Sequence, residues 1–162
     1  MNTDTSHSTN KYLTFVLATE EYAVDILRVQ EIKGWNKVTT IPNTPSYICG
    51  VINLRGTIVP IIDLRLRFGL ERLEYGPMTV IVVVKVLSIE SKERIMGIVV
   101  DAVSDVYDIM ESEVKPPPDF GSVISIEFVR GLATVGEKMV IVLDIDRLLN
   151  SNELAMIEHV SH

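Results

Sequence analysis

Two aspartates stand at matching places at the ends of apolar runs, Asp63 after IVPII and Asp144 after MVIVL. Two carboxylates about 3 Å apart can share a proton and activate water, as in two-lobed aspartic hydrolases. That chemistry needs each Asp in a tight turn, followed by Ser or Thr and then Gly. Here Leu64-Arg65 and Ile145-Asp146 follow, the apolar character continues, and no tight turn is expected. The competing reading has each aspartate marking a strand end and accepting backbone hydrogen bonds. Cys49 is the single cysteine, so no disulfide or cysteine-based zinc site is available. As a nucleophile it would need an activating histidine, and His7, His159 and His162 all lie near the termini. A packed thiol is the expectation. No glycine-rich phosphate loop opens a helix, and no HExxH motif or metal-spaced cluster is present. Lys115-Pro116-Pro117-Pro118 fits a rigid structured loop, with a polyproline ligand as its alternative. No catalytic residue, cofactor or metal emerges, and the chain is expected not to be an enzyme.

What remains is a contact residue. In GVINLRGTIVPIIDLRLRFG, residues 50–69, an apolar run breaks at Leu54-Arg55-Gly56-Thr57. Gly56 can take the positive φ of a type II or bulged turn. Arg55 would then stand on a rigid tip with little freedom left to lose on binding, and arginine is enriched at interface hot spots. A merely solvated turn arginine is the plain alternative. Over residues 50–72, Arg55, Arg65, Arg67 and Arg72 outnumber Asp63 and Glu71, in a chain of net charge −7. That local excess points to an acidic contact.

The elements that must hold such a tip are strands. YLTFVLA alternates, placing Leu13, Phe15 and Leu17 on one face, and TVIVVVKV, GIVVDAV and MVIVLDI are rich in β-branched residues. Turn chemistry at Pro42, Pro45, Gly56, Gly69, Gly76-Pro77 and Gly136 punctuates them. The fold class is all-β. At the C-terminus, Asn150 and Glu153 resemble a capping box, and Leu154, Ile157 and Val160 follow at near-helical spacing, predicting a helix over 150–162. Residues 1–10 are polar, lack a signal-peptide pattern and predict a disordered tail. MTVIVVVKVLSI is too short for a bilayer span and carries Lys85, so it predicts a core strand. With 47% hydrophobic residues the chain can bury a sizeable core, and its acidity argues against nucleic acid and anionic membrane as partners. A soluble, cytoplasmic protein is expected.

An internal repeat organises the chain. An offset of 81 carries Gly50 onto Gly131, Val59 onto Val140 and Asp63 onto Asp144, with Leu54, Ile58, Ile61, Ile62 and Leu64 falling on Val135, Met139, Val142, Leu143 and Ile145. Upstream, an offset of 77 carries Ile26, Val29, Glu31 and Ile32 onto Val103, Val106, Asp108 and Ile109. The shared positions are expected in the core, and the copies diverge at the turn, where Arg55-Gly56 becomes Gly136-Glu137. Two small lobes are expected, over 11–76 and 77–149, with the boundary near Gly76-Pro77.

NLRG followed by IVPIIDL and an FG turn, preceded by VDILRVQEI and IPNTPSYICGV, resembles the CheW family of bacterial chemotaxis coupling proteins. GIVVDAVSDV and MVIVLDIDRLL extend the likeness from about Tyr12 to the predicted helix, one CheW-like domain over 11–150. The resemblance implies two SH3-like five-stranded β-barrels packed on a shared hydrophobic core. It implies a non-enzymatic adaptor that couples the cytoplasmic tips of chemoreceptors to the histidine kinase CheA, in arrays at the inner membrane. Implied partners are the receptor tip, the CheA regulatory domain and further copies of the adaptor. Receptor contact in the family uses a groove between the barrels, which carries over to Val29, Glu31, Gly50 and Arg55; the kinase-facing surface carries over to Phe120. The resemblance also brings Glu31 and Arg55 close enough to pair. A receiver fusion or the CheA regulatory domain itself would be the family alternatives, and no receiver or kinase segment is evident within the 162 residues.

Overall fold

β-branched runs become strands wherever turn chemistry lets the chain reverse. The computed structural model describes residues 9–88, 90, 92–118 and 127–150. β1 (Thr9–Leu17) and β2 (Glu20–Asp25) lead through a 3-10 turn at Ile26–Arg28 into β3 (Val29–Gly34). β4 (Ile48–Leu54) and β5 (Thr57–Asp63) end in the short helix α1 (Leu64–Arg67). β6 (Val80–Leu87), β7 (Glu93–Val100) and β8 (Ala102–Met110) follow, then β9 (Val129–Val135), β10 (Lys138–Leu143) and α2 (Ile145–Leu149). Thr9 and Asn10, expected in the tail, pair with Met110 and Ile109 and so begin β1. Phe120 and residues 151–162, which hold most of the predicted terminal helix, lie outside the described residues.

The strands form two five-stranded sheets, ordered β8-β1-β2-β10-β9 and β3-β6-β7-β5-β4. The sheets do not follow the expected division at residues 76 and 77. The β1–β2 hairpin leaves the first half of the chain and joins β8, β9 and β10. Parallel pairing explains why: β2 runs beside β10, with Ala23 opposite Val142, as β7 runs beside β5, with Gly97 opposite Ile61. The repeat is therefore longer than the sequence offsets revealed. β3, β4, β5, α1, β6 and β7 correspond to β8, β9, β10, α2, β1 and β2, so an N-terminal hairpin completes the C-terminal copy. The chain crosses between sheets twice, at Ile26–Arg28 and at Asp101.

Three apolar clusters hold the halves. Tyr12, Ala23, Ile109, Ala133, Val140 and Val142 fill one sheet's own apolar cluster. Leu54, Val59, Ile61, Ile81, Val83 and Val99 fill the other's. The third cluster draws on both sheets: Leu13, Phe15 and Leu17 meet Val82, Val84, Val86, Ile98, Leu148 and Leu149. Strand alternation explains the apolar run Val80–Val84 of β6, because Ile81 and Val83 enter one cluster while Val82, Val84 and Val86 enter the shared one. Burial of this interface makes the relative placement of the two sheets a packed arrangement.

Candidate functional site

The β4–β5 turn is set by register. Leu54 pairs with Thr57, leaving Arg55 and Gly56 as a two-residue loop. Both carry positive φ, 50° and 90°, the signature of a type I′ turn, whose twist matches that of the flanking strands. The expected type II or bulged turn is replaced by this one, because a two-residue hairpin favours primed turns. Asn53 Oδ1 accepts the Gly56 N–H at 2.8 Å and braces the loop. At the matching turn, Val135 pairs with Lys138 and only the first loop residue, Gly136, has positive φ, as in type II′. The sequence divergence between the copies is thus a change of turn type, and it places an arginine in one tip alone.

Arg55 is 69% exposed and donates from Nη2 to Glu31 Oε1 at 2.6 Å, while Glu31 is 26% exposed. Glu31 sits on β3, one edge of its sheet, and Arg55 joins β4 and β5 at the other. In a flat sheet these positions would lie at least about 14 Å apart, so the ion pair spans strands that do not hydrogen-bond to one another and draws on the twist of the sheet and the length of both side chains. A bulge at Gln30 shifts β3 against β6, since Val29 and Glu31 face the adjacent Val84 and Val83. Its counterpart strand β8 buries Ile109, whereas β3 leaves Ile32 exposed. Val29 is half-buried against the shared core. Gly50, at a second bulge, is buried and so stands beneath this surface, where the family likeness had implied contact. A Cβ there would lie 2.1 Å from the Thr39 carbonyl oxygen, and the backbone has φ of +143°. Thr39 bridges to Val51 across that glycine, as Lys115 bridges to Leu132 across Gly131.

The remaining candidates serve the fold. Asp63 and Asp144 each end a strand and cap a short helix, accepting from Leu66 N at 3.3 Å and Arg147 N at 3.1 Å. The expected apolar continuation is in fact a helical turn, because the carboxylate caps it. Asp63 also accepts from Tyr75 Oη at 2.6 Å, and Cys49 Sγ lies 3.4 Å from that oxygen. Burial, then the Asp63 and Cys49 contacts, push the Tyr75 phenol upward, and burial pushes the Cys49 thiol up, so both stay protonated. The local excess of arginine is mostly spent internally. Arg65 grips Asp101 with two prongs at 2.7 and 2.9 Å, Arg67 lies over the Tyr47 ring and Arg72 over the Tyr75 ring. Lys115 pairs with Leu132 and anchors the proline segment to the sheet. Among the described residues no group of three or more His, Cys, Asp or Glu could hold a metal ion, and no helix is long and apolar enough to cross a membrane.

Ile58 and Met139 were expected in the core as shared repeat positions, yet they are 60% and 58% exposed. Each lies next to its turn, before the strand enters the core, and an apolar side chain kept outside in both copies is a surface feature. Comparing the exposure of repeat-matched residues would have found them; hydrophobicity alone could not.

The chain is similar to known proteins along most of its length. The model of the CheW-like domain family matches residues 11–153. A chemotaxis protein CheW of Klebsiella aerogenes is 45% identical over 151 residues, 93% of this chain and 88% of the relative. One from Rhizobium meliloti is 35% identical over 156 residues, 94% and 97% of the two chains. The crystal structure of the scaffolding protein TtCheW from Thermoanaerobacter tengcongensis superposes with a TM-score of 0.78 at 37% identity, covering 90% of this chain and 96% of that one. With the strand-end caps and the arginine-tipped hairpin in place, this chain belongs to the CheW-like domain family.

Proposed function

We propose that the protein is a non-enzymatic chemotaxis adaptor that couples the cytoplasmic tips of chemoreceptors to the histidine kinase CheA. Each five-stranded sheet closes as an SH3-like barrel, a reading supported by the ion pair that joins the outer strands of one of them. The receptor face comprises Val29, Glu31 and Arg55, with Gly50 shaping β4 beneath them, and the kinase face includes Phe120. The partners are proteins: a receptor tip, the regulatory domain of CheA and further copies of the adaptor. Its place is the cytoplasm, recruited to receptor arrays at the inner membrane.

The carrying observation is the Glu31–Arg55 pair on a turn that admits little backbone freedom. A receptor tip is a helical hairpin, and a guanidinium held in place by a carboxylate suits contact with such a helix. The test is a pulldown with a receptor signalling-tip fragment and, separately, with CheA, comparing wild type with Arg55→Ala. Lost receptor capture with retained kinase capture is expected. Equal capture of the receptor fragment by both proteins would reject the assignment.

A further inference from the structure

The two places where the chain crosses between sheets carry the same device with its charges exchanged. At the crossing from β2 to β3, Arg28 donates to Asp146 on α2 through Nη1 at 2.7 Å and Nη2 at 2.6 Å. Asp146 also accepts the N–H of Leu87, the last residue of β6, at 2.8 Å. At the crossing from β7 to β8, the aspartate belongs to the crossing and the arginine to the helix: Asp101 takes both prongs of Arg65 on α1. Asp101 likewise accepts the N–H of Ala18, just past β1, at 2.8 Å. Arg65 and Asp146 are 81 residues apart, the repeat offset, and each follows its helix-capping aspartate by two. All four side chains are less than one-third exposed, and paired N–H···O bonds fix orientation as well as distance.

The copies differ in what the crossing leads to. Arg28 directly precedes Val29 and lies three residues before Glu31, on an edge strand that hydrogen-bonds to a single neighbour, β6. Arg28 Nη1 also reaches the Lys85 carbonyl of β6 at 3.2 Å, so one guanidinium ties the start of β3 to both halves. We propose that Arg28 is a positioning residue for the contact face: its two-pronged bond to Asp146 fixes where β3 begins and thereby places Glu31 against Arg55. Asp101–Arg65 is the structural twin, holding a crossing that leads to β8. The functional part rests on the receptor-face reading above; the geometric part does not.

The experiment uses the full chain as wild type, Asp146→Asn, Arg28→Lys, Asp101→Asn and Arg55→Ala. Two readouts are taken: the 15N resonance of the Arg55 guanidinium, which reports its pairing, and capture by a soluble receptor signalling-tip fragment. Asp146→Asn is expected to move the Arg55 resonance toward that of an unpaired arginine and weaken capture about fivefold. Arg28→Lys keeps the charge but loses the fork, and is expected to produce a smaller shift of the same sign. Asp101→Asn, which removes a carboxylate of comparable burial, should lower the melting temperature yet leave the resonance and capture as in wild type. An unmoved resonance in Asp146→Asn and Arg28→Lys, or an equal shift in Asp101→Asn, would overturn the proposal. If Arg55→Ala leaves capture intact, the receptor-face reading fails, and the resonance still decides the positioning role.

Discussion

Arg55 Nη2 lies 2.6 Å from Glu31 Oε1, although the two residues belong to opposite edges of one five-stranded sheet. The pair adds little to stability, because Arg55 remains largely solvated and exposed ion pairs contribute about 0.2–1 kcal/mol. Its value lies in direction: the carboxylate fixes where a long, flexible cation points.

Exchange of the charges separates pairing from mere presence. Arg55→Glu and Glu31→Arg should each weaken capture of a receptor tip about tenfold while shifting stability by less than about 1 kcal/mol. The double exchange should recover part of the loss. Additive losses in a titration of all three variants would show that the two side chains act independently of each other.

Gly50→Ala places a Cβ 2.1 Å from the Thr39 carbonyl oxygen, at a φ of +143° that side chains rarely adopt. The obstacle is backbone, so no rotamer change relieves it, and a loss of about 3 kcal/mol or more is expected. Gly131→Ala meets the Lys115 carbonyl at 2.5 Å without the positive φ, and should cost about 1 kcal/mol less. Denaturant unfolding of both variants gives the order directly. Receptor capture by Gly50→Ala should fall only as the folded fraction falls.

Much of this architecture was legible because it is written in local periodicity. Leu13, Phe15 and Leu17 share a face of β1 and meet in one cluster, and the β6 run signals burial on both sides. The offset of 81 located both hairpins and their caps. What escaped was nonlocal. The apolar pattern of β1 and β2 does not name a sheet, and it is the pairing of β1 with β8 and of β2 with β10 that decides. Arg28 and Asp146 stand 118 residues apart with no local signal joining them. At the site, Arg55 was found from its turn, whereas the exposure of Ile58 was hidden by its agreement with a core-like repeat position.

The two capping aspartates should respond differently to one substitution. Asparagine caps helices as well as aspartate does, so Asp144→Asn should change stability by less than about 0.5 kcal/mol. Asp63 has both oxygens engaged, one by the Leu66 N–H and one by the Tyr75 hydroxyl. An amide keeps one acceptor and presents an N–H to Tyr75, whose hydroxyl must then accept and turn its own proton toward Cys49 Sγ, 3.4 Å away. Asp63→Asn should therefore cost about 1–3 kcal/mol, because a hydrogen bond to a charged carboxylate is exchanged for weaker neutral ones. Paired urea melts measure the contrast, and a Tyr75→Phe background should remove most of it.

Acid should loosen the Arg28–Asp146 clamp in a defined window. Burial alone would raise the Asp146 carboxyl, but the Arg28 hydrogen bond, the Leu87 amide and the Arg28 charge outweigh it, so the carboxyl titrates below the usual carboxylate range. The folded protein then holds this group ionised at pH values where the unfolded chain has begun to protonate it. Unfolding takes up a proton there, so the contribution is fully present above an unfolded value of about 3.9 and is lost as pH falls through the folded value. Asp146→Asn has no such proton to bind. The gap in unfolding free energy between wild type and Asp146→Asn should stay constant from pH 7 to about pH 5, then narrow on further acidification. Denaturant melts at intervals from pH 7 down to about pH 3 test this. A gap that held its full size to the lowest pH would mean that ionisation of Asp146 contributes nothing to holding the crossing in place.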